Sequence, residues 1–287
     1  MRGAVRLSAT LLAVLAAALV LVPPLVLAAR TDWFPPGAVS KLWYRAALRA
    51  LGWRVRVEGR LPPARPLLIV ANHVSWADIL VLGAQGELSF VAKSEVASWP
   101  VIGWLARLQN ALFVDRERRR ASGEQAHAVA GRLAEDAAVV LFAEGTTGDG
   151  NLLLPFKSTL FGALKVSARN GDRPVTVQPA AVAYTKLYGV PLGRPERGIA
   201  SWIGDRSLGH HLWLLARHGP LDVVLSFGEP FAADIGHGRK ELARRCEAEV
   251  RRLAVEALRG EAQPATAASH DLRESRHMRV QAGSKSL

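Results

Sequence analysis

A histidine and an aspartate five residues apart follow an apolar run and could together perform acid–base chemistry. The run PLLIVA leads directly into NHVSWAD, which places His73 five residues before Asp78. A carboxylate beside an imidazole fixes the tautomer of the ring and stabilises its protonated form. The pair therefore predicts a general base that activates a hydroxyl group. The spacing alone also fits a structural histidine, so further residues have to support the prediction.

Charged or glycine-containing segments follow three other apolar runs. LSFVAK ends in Lys93, ALFVDR ends in Arg116, and VVLFA leads into a loop that begins with Glu144, Gly145 and Thr146. In α/β proteins the carboxyl ends of the strands are where ligands bind. Taken one at a time, Lys93 and Arg116 are typical of solvated surface charges. Together they would form a clamp that binds an anion. The shared placement predicts a functional site at this edge of a sheet.

The elements that would position these residues alternate between strand-like and helical patterns. Strands are predicted at 66–72, 88–93, 111–116, 139–145, 175–184 and 221–228. Helices are predicted at 77–85, 117–137, 156–169 and 239–258. This alternation is typical of an α/β domain, so we expect a single domain over 54–260 with a mostly parallel central sheet flanked by helices.

The N-terminal residues predict a membrane-attachment segment over 1–53. Residues 7–29 carry no charge and are long enough to span a bilayer, with Pro23-Pro24 inside the run. An amphipathic helix follows Pro35-Pro36, and it suits either an anionic membrane surface or packing on the domain. The apolar run also fits a secretory signal peptide or a kinked hairpin that enters and leaves by one face. Residues 261–287 predict a disordered tail.

Composition and charge exclude several classes of protein. The 287 residues include one cysteine, and the eight histidines show no metal-ligand spacing, so neither a disulfide framework nor a metal site is expected. Lys and Arg exceed Asp and Glu by 12, which favours anionic partners. No nucleic-acid-binding motif accompanies this charge, so we expect an anionic membrane surface as the partner and no nucleic acid.

Four motifs in order resemble the glycerolipid acyltransferases of the lysophosphatidate acyltransferase family. They are NHVSWAD, KSEVASWPVIG with ALFVDR, FAEGT, and the apolar run VTVQPAAV. The corresponding family patterns are NHxxxxD, a lysine–glutamate pair linked through Pro and Gly to an arginine, FPEGTR, and a proline-containing apolar run. The ordered set covers about residues 72–183, and it is far more specific than any one of the motifs.

The resemblance implies an enzyme that transfers an acyl chain to the free hydroxyl of a lysolipid, of the 1-acyl-sn-glycerol-3-phosphate acyltransferase type. Its donor would be acyl-CoA or acyl-carrier protein, and no further cofactor is expected. His73 would be the general base and Asp78 its orienting partner. Among the substrate-binding residues, Lys93 and Arg116 would meet the anionic part of the acceptor. Glu144, Gly145 and Thr146 would shape the acceptor pocket, where backbone N–H groups of the loop could bind an oxyanion or head group.

One departure from the family pattern bears on the acceptor. Thr147 stands where the family has the arginine of FPEGTR, and threonine cannot bind a phosphate bidentately. Either Lys93 and Arg116 hold the phosphate, or the acceptor lacks a phosphomonoester, as in the lyso-ornithine lipid acyltransferase branch, which this chain also resembles.

The same fold could also serve a lipid hydrolase or a catalytically silent lipid-binding protein. We expect a membrane protein whose catalytic domain faces the cytoplasm, because the thioester donors are cytosolic.

Overall fold

The computed structural model describes residues 36–100, 102–109, 111–114, 121–170, 174–204, 206–233 and 238–260, together with isolated positions between 8 and 27. The helices are α1 (Pro36–Ala50), α2 (Asp78–Gly83), α3 (Ile102–Leu108), α4 (Ala121–Ala134), α5 (Gly162–Asn170), α6 (Arg194–Arg197), α7 (Leu208–His218) and α8 (Arg239–Gly260). The strands are β1 (Arg54–Glu58), β2 (Leu67–Ala71), β3 (Ser89–Lys93), β4 (Leu112–Val114), β5 (Ala138–Phe142), β6 (Val175–Leu187), β7 (Val190–Pro191), β8 (Leu221–Phe227) and β9 (Phe231–Ala233). Two 3₁₀ helices cover Ser94–Ser98 and Ser158–Phe161.

The strands form one mixed sheet in the order β1-β8-β6-β2-β5-β3-β4. β2 pairs in parallel with β5 and β6, and β3 pairs in parallel with β5 and β4. β7, β8 and β9 pair antiparallel with β6. The expected α/β fold with flanking helices is confirmed, and the sheet is mixed: β1 and β8 pair in parallel with each other, whereas β8 runs antiparallel to β6. The direction of β8 was not predictable from the sequence, because a strand buried on both faces is an apolar run in either direction.

Helices cover both faces of the sheet and bury alternate residues of the same strands. Leu67 and Ile69 of β2 belong to a core shared with α1 and α2, whereas Leu68 and Val70 belong to a core shared with α4, α5 and α8. Successive side chains of a strand point to opposite faces, so a strand between two helix layers has to be apolar throughout. This double covering holds the carboxyl ends of β2 and β5 rigidly beside each other.

A proline sits inside the long central strand β6 at a place where its missing N–H does no harm. Residues before Pro179 pair with β9, and those from Ala180 onwards pair with β8. The Pro179 carbonyl accepts a hydrogen bond from Gly228 N (2.9 Å), at the break between those two partner strands. A strand proline is tolerated where no ladder hydrogen bond is lost. The proline of the fourth sequence motif is therefore placed by the switch of partners along β6.

Helix α1 is the predicted amphipathic helix, and its apolar face packs on the domain. Tyr44 and Leu48 belong to the core that also contains Leu67 of β2. Among the described residues, no helix is both long and apolar enough to cross a membrane. Most of the predicted attachment segment before residue 36 and all of the predicted tail, 261–287, lie outside the described residues.

Candidate active site

The loop between β2 and α2 wraps its backbone around the side chain of Asp78. Oδ2 of Asp78 accepts the backbone N–H groups of Val74 (2.7 Å) and Ser75 (2.9 Å). The same oxygen accepts a hydrogen bond from Nδ1 of His73 at 2.9 Å. Asp78 is fully buried, so these donors replace the water that would solvate its charge. The predicted histidine–aspartate pair is present, and the loop geometry itself positions it.

A tyrosine from the neighbouring strand completes the support of this carboxylate. The Tyr184 hydroxyl, on β6, donates to Oδ1 of Asp78 at 2.8 Å. Burial and the nearby Asp78 charge raise the pKa of Tyr184 well above its ordinary value of 10. The phenol therefore stays protonated and acts as a donor at any physiological pH. Both oxygens of Asp78 are thus fixed, which fixes the plane of the carboxylate that orients His73.

The His73 ring is held in one orientation by stacking. It lies parallel to the Phe142 ring, with centroids 3.9 Å apart and planes 13° apart. The histidine side chain keeps 14% of its surface exposed. With Nδ1 donating to Asp78, Nε2 carries the lone pair of the neutral imidazole. The arrangement can therefore take a proton from a group that enters beside the ring.

Glu144 links the histidine loop to the loop that follows β5. Its Oε1 accepts the backbone N–H of His73 (2.7 Å), and its Oε2 accepts that of Leu154 (2.7 Å). Burial raises the pKa of Glu144 to about 7, against the lowering effect of these two hydrogen bonds. The carboxylate is 2% exposed and bridges two loops at the end of the sheet. Its observed contacts are structural ones at the wall of the site.

The turn after Glu144 depends on a glycine and on a threonine hydroxyl. Gly145 adopts φ +70°, in the left-handed region that favours glycine, and its N–H donates to the Phe142 carbonyl at 3.1 Å. The N–H of Gly148 donates to the His73 carbonyl at 2.8 Å. The Thr147 hydroxyl donates to the Trp202 carbonyl. The amides of Gly145 and Gly148, which were candidates for binding an oxyanion, are both engaged within the protein.

Asn72 fixes the end of β2 against β6. Its side-chain oxygen accepts the N–H of Val182 at 2.8 Å, and its side-chain nitrogen donates to the Val182 carbonyl at 3.0 Å. The amide thus continues the pairing of the two strands after the β2 backbone turns away. The first residue of the NHxxxxD motif consequently sets where the histidine loop begins.

The histidine opens onto a cleft of about 150 Å³. Its polar lining includes His73, Glu144, Tyr184, Arg197 and Arg251. Its apolar lining comprises Val74, Leu152, Leu153, Val182, Ala183, Ala254, Val255 and Leu258. A base at the wall of a cleft with apolar sides suits a substrate that carries a hydroxyl near an alkyl chain.

The residues predicted from the sequence do not all meet in this cleft. His73, Asp78 and Glu144 lie together, whereas Lys93 is exposed at the end of β3, which β5 separates from β2. Gly145 and Thr146 form the turn beside the cleft and are not among the described residues that line it.

Two questions from the sequence concern the surroundings of the site. Arg116 lies outside the described residues, so its distance from the histidine has no structural measure. Across the described part of the chain, no group of three or more His, Cys, Asp or Glu side chains could hold a metal ion.

Comparison with known proteins places this site in a family. A family model described as Acyltransferase matches residues 54–183. The chain is 46% identical over 248 residues to a lyso-ornithine lipid O-acyltransferase of Rhizobium meliloti, covering 86% of this chain and 85% of that one. It is 44% identical to the enzyme of the same name from Brucella abortus, covering 91% of this chain and 98% of that one. The chain belongs to the acyltransferase family. The resemblance seen in the sequence is confirmed.

The fold of this acyltransferase also matches a solved structure. The crystal structure of the 1-acyl-sn-glycerophosphate (LPA) acyltransferase from Thermotoga maritima aligns with a TM-score of 0.63 at 23% sequence identity. The alignment covers 89% of this chain and 97% of that one. At this identity the likeness concerns the fold, which includes the mixed sheet and its helices.

Sequence reasoning missed three residues of the acyltransferase site. Tyr184 contacts Asp78 from a strand 106 positions further along the chain. Arg197 and Arg251 line the cleft from α6 and α8. Tyr184 ends the predicted strand 175–184, and this was a signal for the first of them, because a phenol in a buried strand needs a hydrogen-bond partner. The two arginines lie among many others in a basic chain and carried no distinguishing pattern.

Proposed function

We propose that this acyltransferase moves an acyl chain from a thioester donor, acyl-CoA or acyl-carrier protein, to the free hydroxyl of lyso-ornithine lipid. The observation that carries the chemistry is the hydrogen bond of 2.9 Å between His73 and the buried Asp78, beside a cleft with apolar walls. The names of the Rhizobium and Brucella relatives support the acceptor. The second candidate, a 1-acyl-sn-glycerol-3-phosphate, is supported by the name of the Thermotoga structure, whose likeness concerns the fold alone.

In the proposed reaction His73 is the general base. Its Nε2 takes the proton of the acceptor hydroxyl as that oxygen attacks the thioester carbonyl carbon. The carbon–sulfur bond of the tetrahedral intermediate then breaks, and the imidazolium returns its proton to the departing thiolate. Asp78 stabilises the imidazolium between these steps, and Tyr184 holds Asp78 in place. An attacking hydroxyl gains about 10²- to 10⁴-fold in rate from such a base.

Substrate binding by the other predicted residues stays part of the proposal. Glu144 and Gly145 would shape the acceptor side of the site, and Thr146 lies exposed on the adjoining turn. Lys93 and Arg116 would meet the anionic part of the acceptor, and the excess of 12 positive charges in the chain would attract the phosphates of coenzyme A or the acidic surface of a carrier protein. No further cofactor enters this mechanism.

We propose membrane attachment through residues 1–53, with the catalytic residues in 54–260 facing the cytoplasm, where the thioester donors are. Two exposed aromatic residues support contact with a lipid surface: Trp104 on α3 and Trp213 on α7 are 42% and 38% exposed. Arg217 lies over the Trp213 ring, with its guanidinium carbon 5.0 Å from the ring centroid. Arginine beside an exposed indole suits an anionic lipid interface. Flotation with anionic vesicles should weaken in Trp104→Ala/Trp213→Ala and at high salt.

An acyl-transfer assay on the detergent-solubilised protein tests the function. Labelled acyl donor is offered with lyso-ornithine lipid and, separately, with lysophosphatidate. We expect transfer to lyso-ornithine lipid, its loss in His73→Ala, and its retention in His210→Ala, a matched change of an exposed histidine. Preference for lysophosphatidate would contradict the acceptor, full activity of His73→Ala would contradict the mechanism, and release of free fatty acid without acceptor would indicate a hydrolase.

A further inference from the structure

Arg197 is a cation in the catalytic cleft whose hydrogen-bonding capacity is mostly unused. It ends α6 and lines the cleft together with His73 and Glu144. In the described part of the chain, its buried Nε has no hydrogen-bond partner. Among the described residues its side chain makes one hydrogen bond, from Nη1 to the side-chain oxygen of Asn151 at 3.3 Å. Within the described ranges no carboxylate forms an ion pair with this half-buried side chain, so most of its N–H donors remain for a ligand.

The other arginine of the cleft is already paired, so the two differ in what they offer a ligand. Arg251 donates to Oε1 of Glu247 at 2.9 Å and to the Leu153 carbonyl at 3.5 Å. Glu247 in turn accepts the N–H of Phe156 through its other oxygen at 3.0 Å. Arg251 is therefore part of the wall, whereas the guanidinium of Arg197 can bind an anion that enters the cleft.

The segment that carries Arg197 is fastened to both loops of the site. The Thr147 hydroxyl donates to the Trp202 carbonyl, and the Trp202 N–H donates to the Val74 carbonyl at 2.9 Å. A Cβ added to Gly150 would meet Val74 at 3.3 Å and the Cβ of Arg197 at 3.9 Å, so the arginine stem lies close to the histidine loop. Thr147, which stands in place of an arginine, thus holds the facing segment from which Arg197 comes.

We propose that Arg197 binds the carboxylate of the ornithine head group and so contributes to the choice of acceptor; this inference rests on the proposed function. The planar guanidinium presents parallel N–H donors that match the two oxygens of a carboxylate. The unpaired Nε–H and one Nη–H form such a pair of donors. The same donors also fit two oxygens of a phosphate. The choice of a carboxylate follows from the proposed acceptor, because its ornithine head group carries a carboxyl group.

The test compares two acceptors in variants of the full chain. The acceptors are lyso-ornithine lipid and its carboxamide analogue, which differs only at the ornithine carboxyl group. In the wild type we expect kcat/KM to be about 10- to 100-fold higher for the carboxylate, the effect of a charge-assisted hydrogen-bonded pair. Arg197→Met should bring this ratio close to one while leaving the KM for the acyl donor unchanged. Arg197→Lys, which keeps the charge without the planar donors, should lie between.

A control variant and a folding measurement distinguish a wrong inference from a misfolded variant or a wrong proposed function. Arg194→Ala removes an exposed arginine of the same helix and should keep the wild-type ratio. Thermal unfolding shows whether each variant is folded, and Arg197→Lys serves if Arg197→Met is not. An unchanged ratio in the folded Arg197 variants would overturn the inference, as would a change in donor KM alone. No acylation of lyso-ornithine lipid by the wild type would instead overturn the proposed function.

Discussion

Replacing Asp78 by asparagine removes a charge while preserving most of the hydrogen bonds around it. Three donors converge on Oδ2, from His73, Val74 and Ser75, and one donor, Tyr184, lies at Oδ1. The asparagine oxygen can take the Oδ2 position, and its NH₂ group can donate to the Tyr184 hydroxyl oxygen. The loop should therefore keep its fold, and the neutral imidazole should keep its tautomer.

What the variant loses is the stabilisation of the imidazolium that forms during the reaction. Opposite charges about 4 Å apart interact by about 4 kcal/mol at an effective dielectric constant of about 20. Since about 1.4 kcal/mol is tenfold in rate, and asparagine keeps a neutral hydrogen bond, kcat should fall by about 10²- to 10³-fold. The KM for the acceptor should change little, because the charge acts mainly in the transition state.

Steady-state acyl transfer at saturating donor measures this effect, with thermal unfolding to show that Asp78→Asn is folded. Tyr184→Phe is the matched control, because it removes one hydrogen bond to Asp78 and keeps its charge. That variant should lose no more than about tenfold in kcat. If folded Asp78→Asn keeps more than about a tenth of the wild-type kcat, electrostatic support of a histidine base is not part of the mechanism.

Three further predictions concern stability. Burial raises the pKa of Glu144 from its ordinary value of 4.5 to about 7, so between these pH values the folded protein binds more protons than the unfolded one. The free energy of unfolding should therefore fall by up to about 3 kcal/mol as pH rises from 5 to 8, relative to Glu144→Gln. Denaturant titrations at several pH values measure this. Gly145→Ala should lower the free energy of unfolding by about 1–2 kcal/mol, because alanine is strained at φ +70°. Gly131→Ala, in helix α4 with open space around the new Cβ, should raise it by about 0.5–1 kcal/mol. Equal effects of the two variants in thermal unfolding would refute the backbone argument. Leu133→Ala, at a fully buried position, should cost about 2–5 kcal/mol in urea titrations, and a loss below about 1 kcal/mol would contradict close packing of that helix on the sheet.

The local parts of the site were predictable because short-range chain geometry determines them. His73 and Asp78 are five residues apart in a loop closed by backbone N–H groups of the same loop, so sequence spacing already restricts their distance. The strands β2, β3 and β5 were recognisable as apolar runs because two helix layers bury both faces. The antiparallel direction of β8 was not recognisable, since a run such as LDVVLSF has the same pattern in either direction.

The sequence by itself determined the family, the class of reaction and the residue that acts as the proposed base, because the ordered motifs lie within loops whose shape is local. The tertiary structure alone decided which distant side chains complete the site. Tyr184 reaches Asp78 because β6 lies beside β2, and Arg197 reaches the cleft because the segment after β7 folds back onto the histidine loop. Contacts between residues so far apart along the chain follow from strand order and loop packing, which no local pattern encodes. The same packing leaves Lys93 exposed at the end of β3, where β5 separates it from the histidine strand.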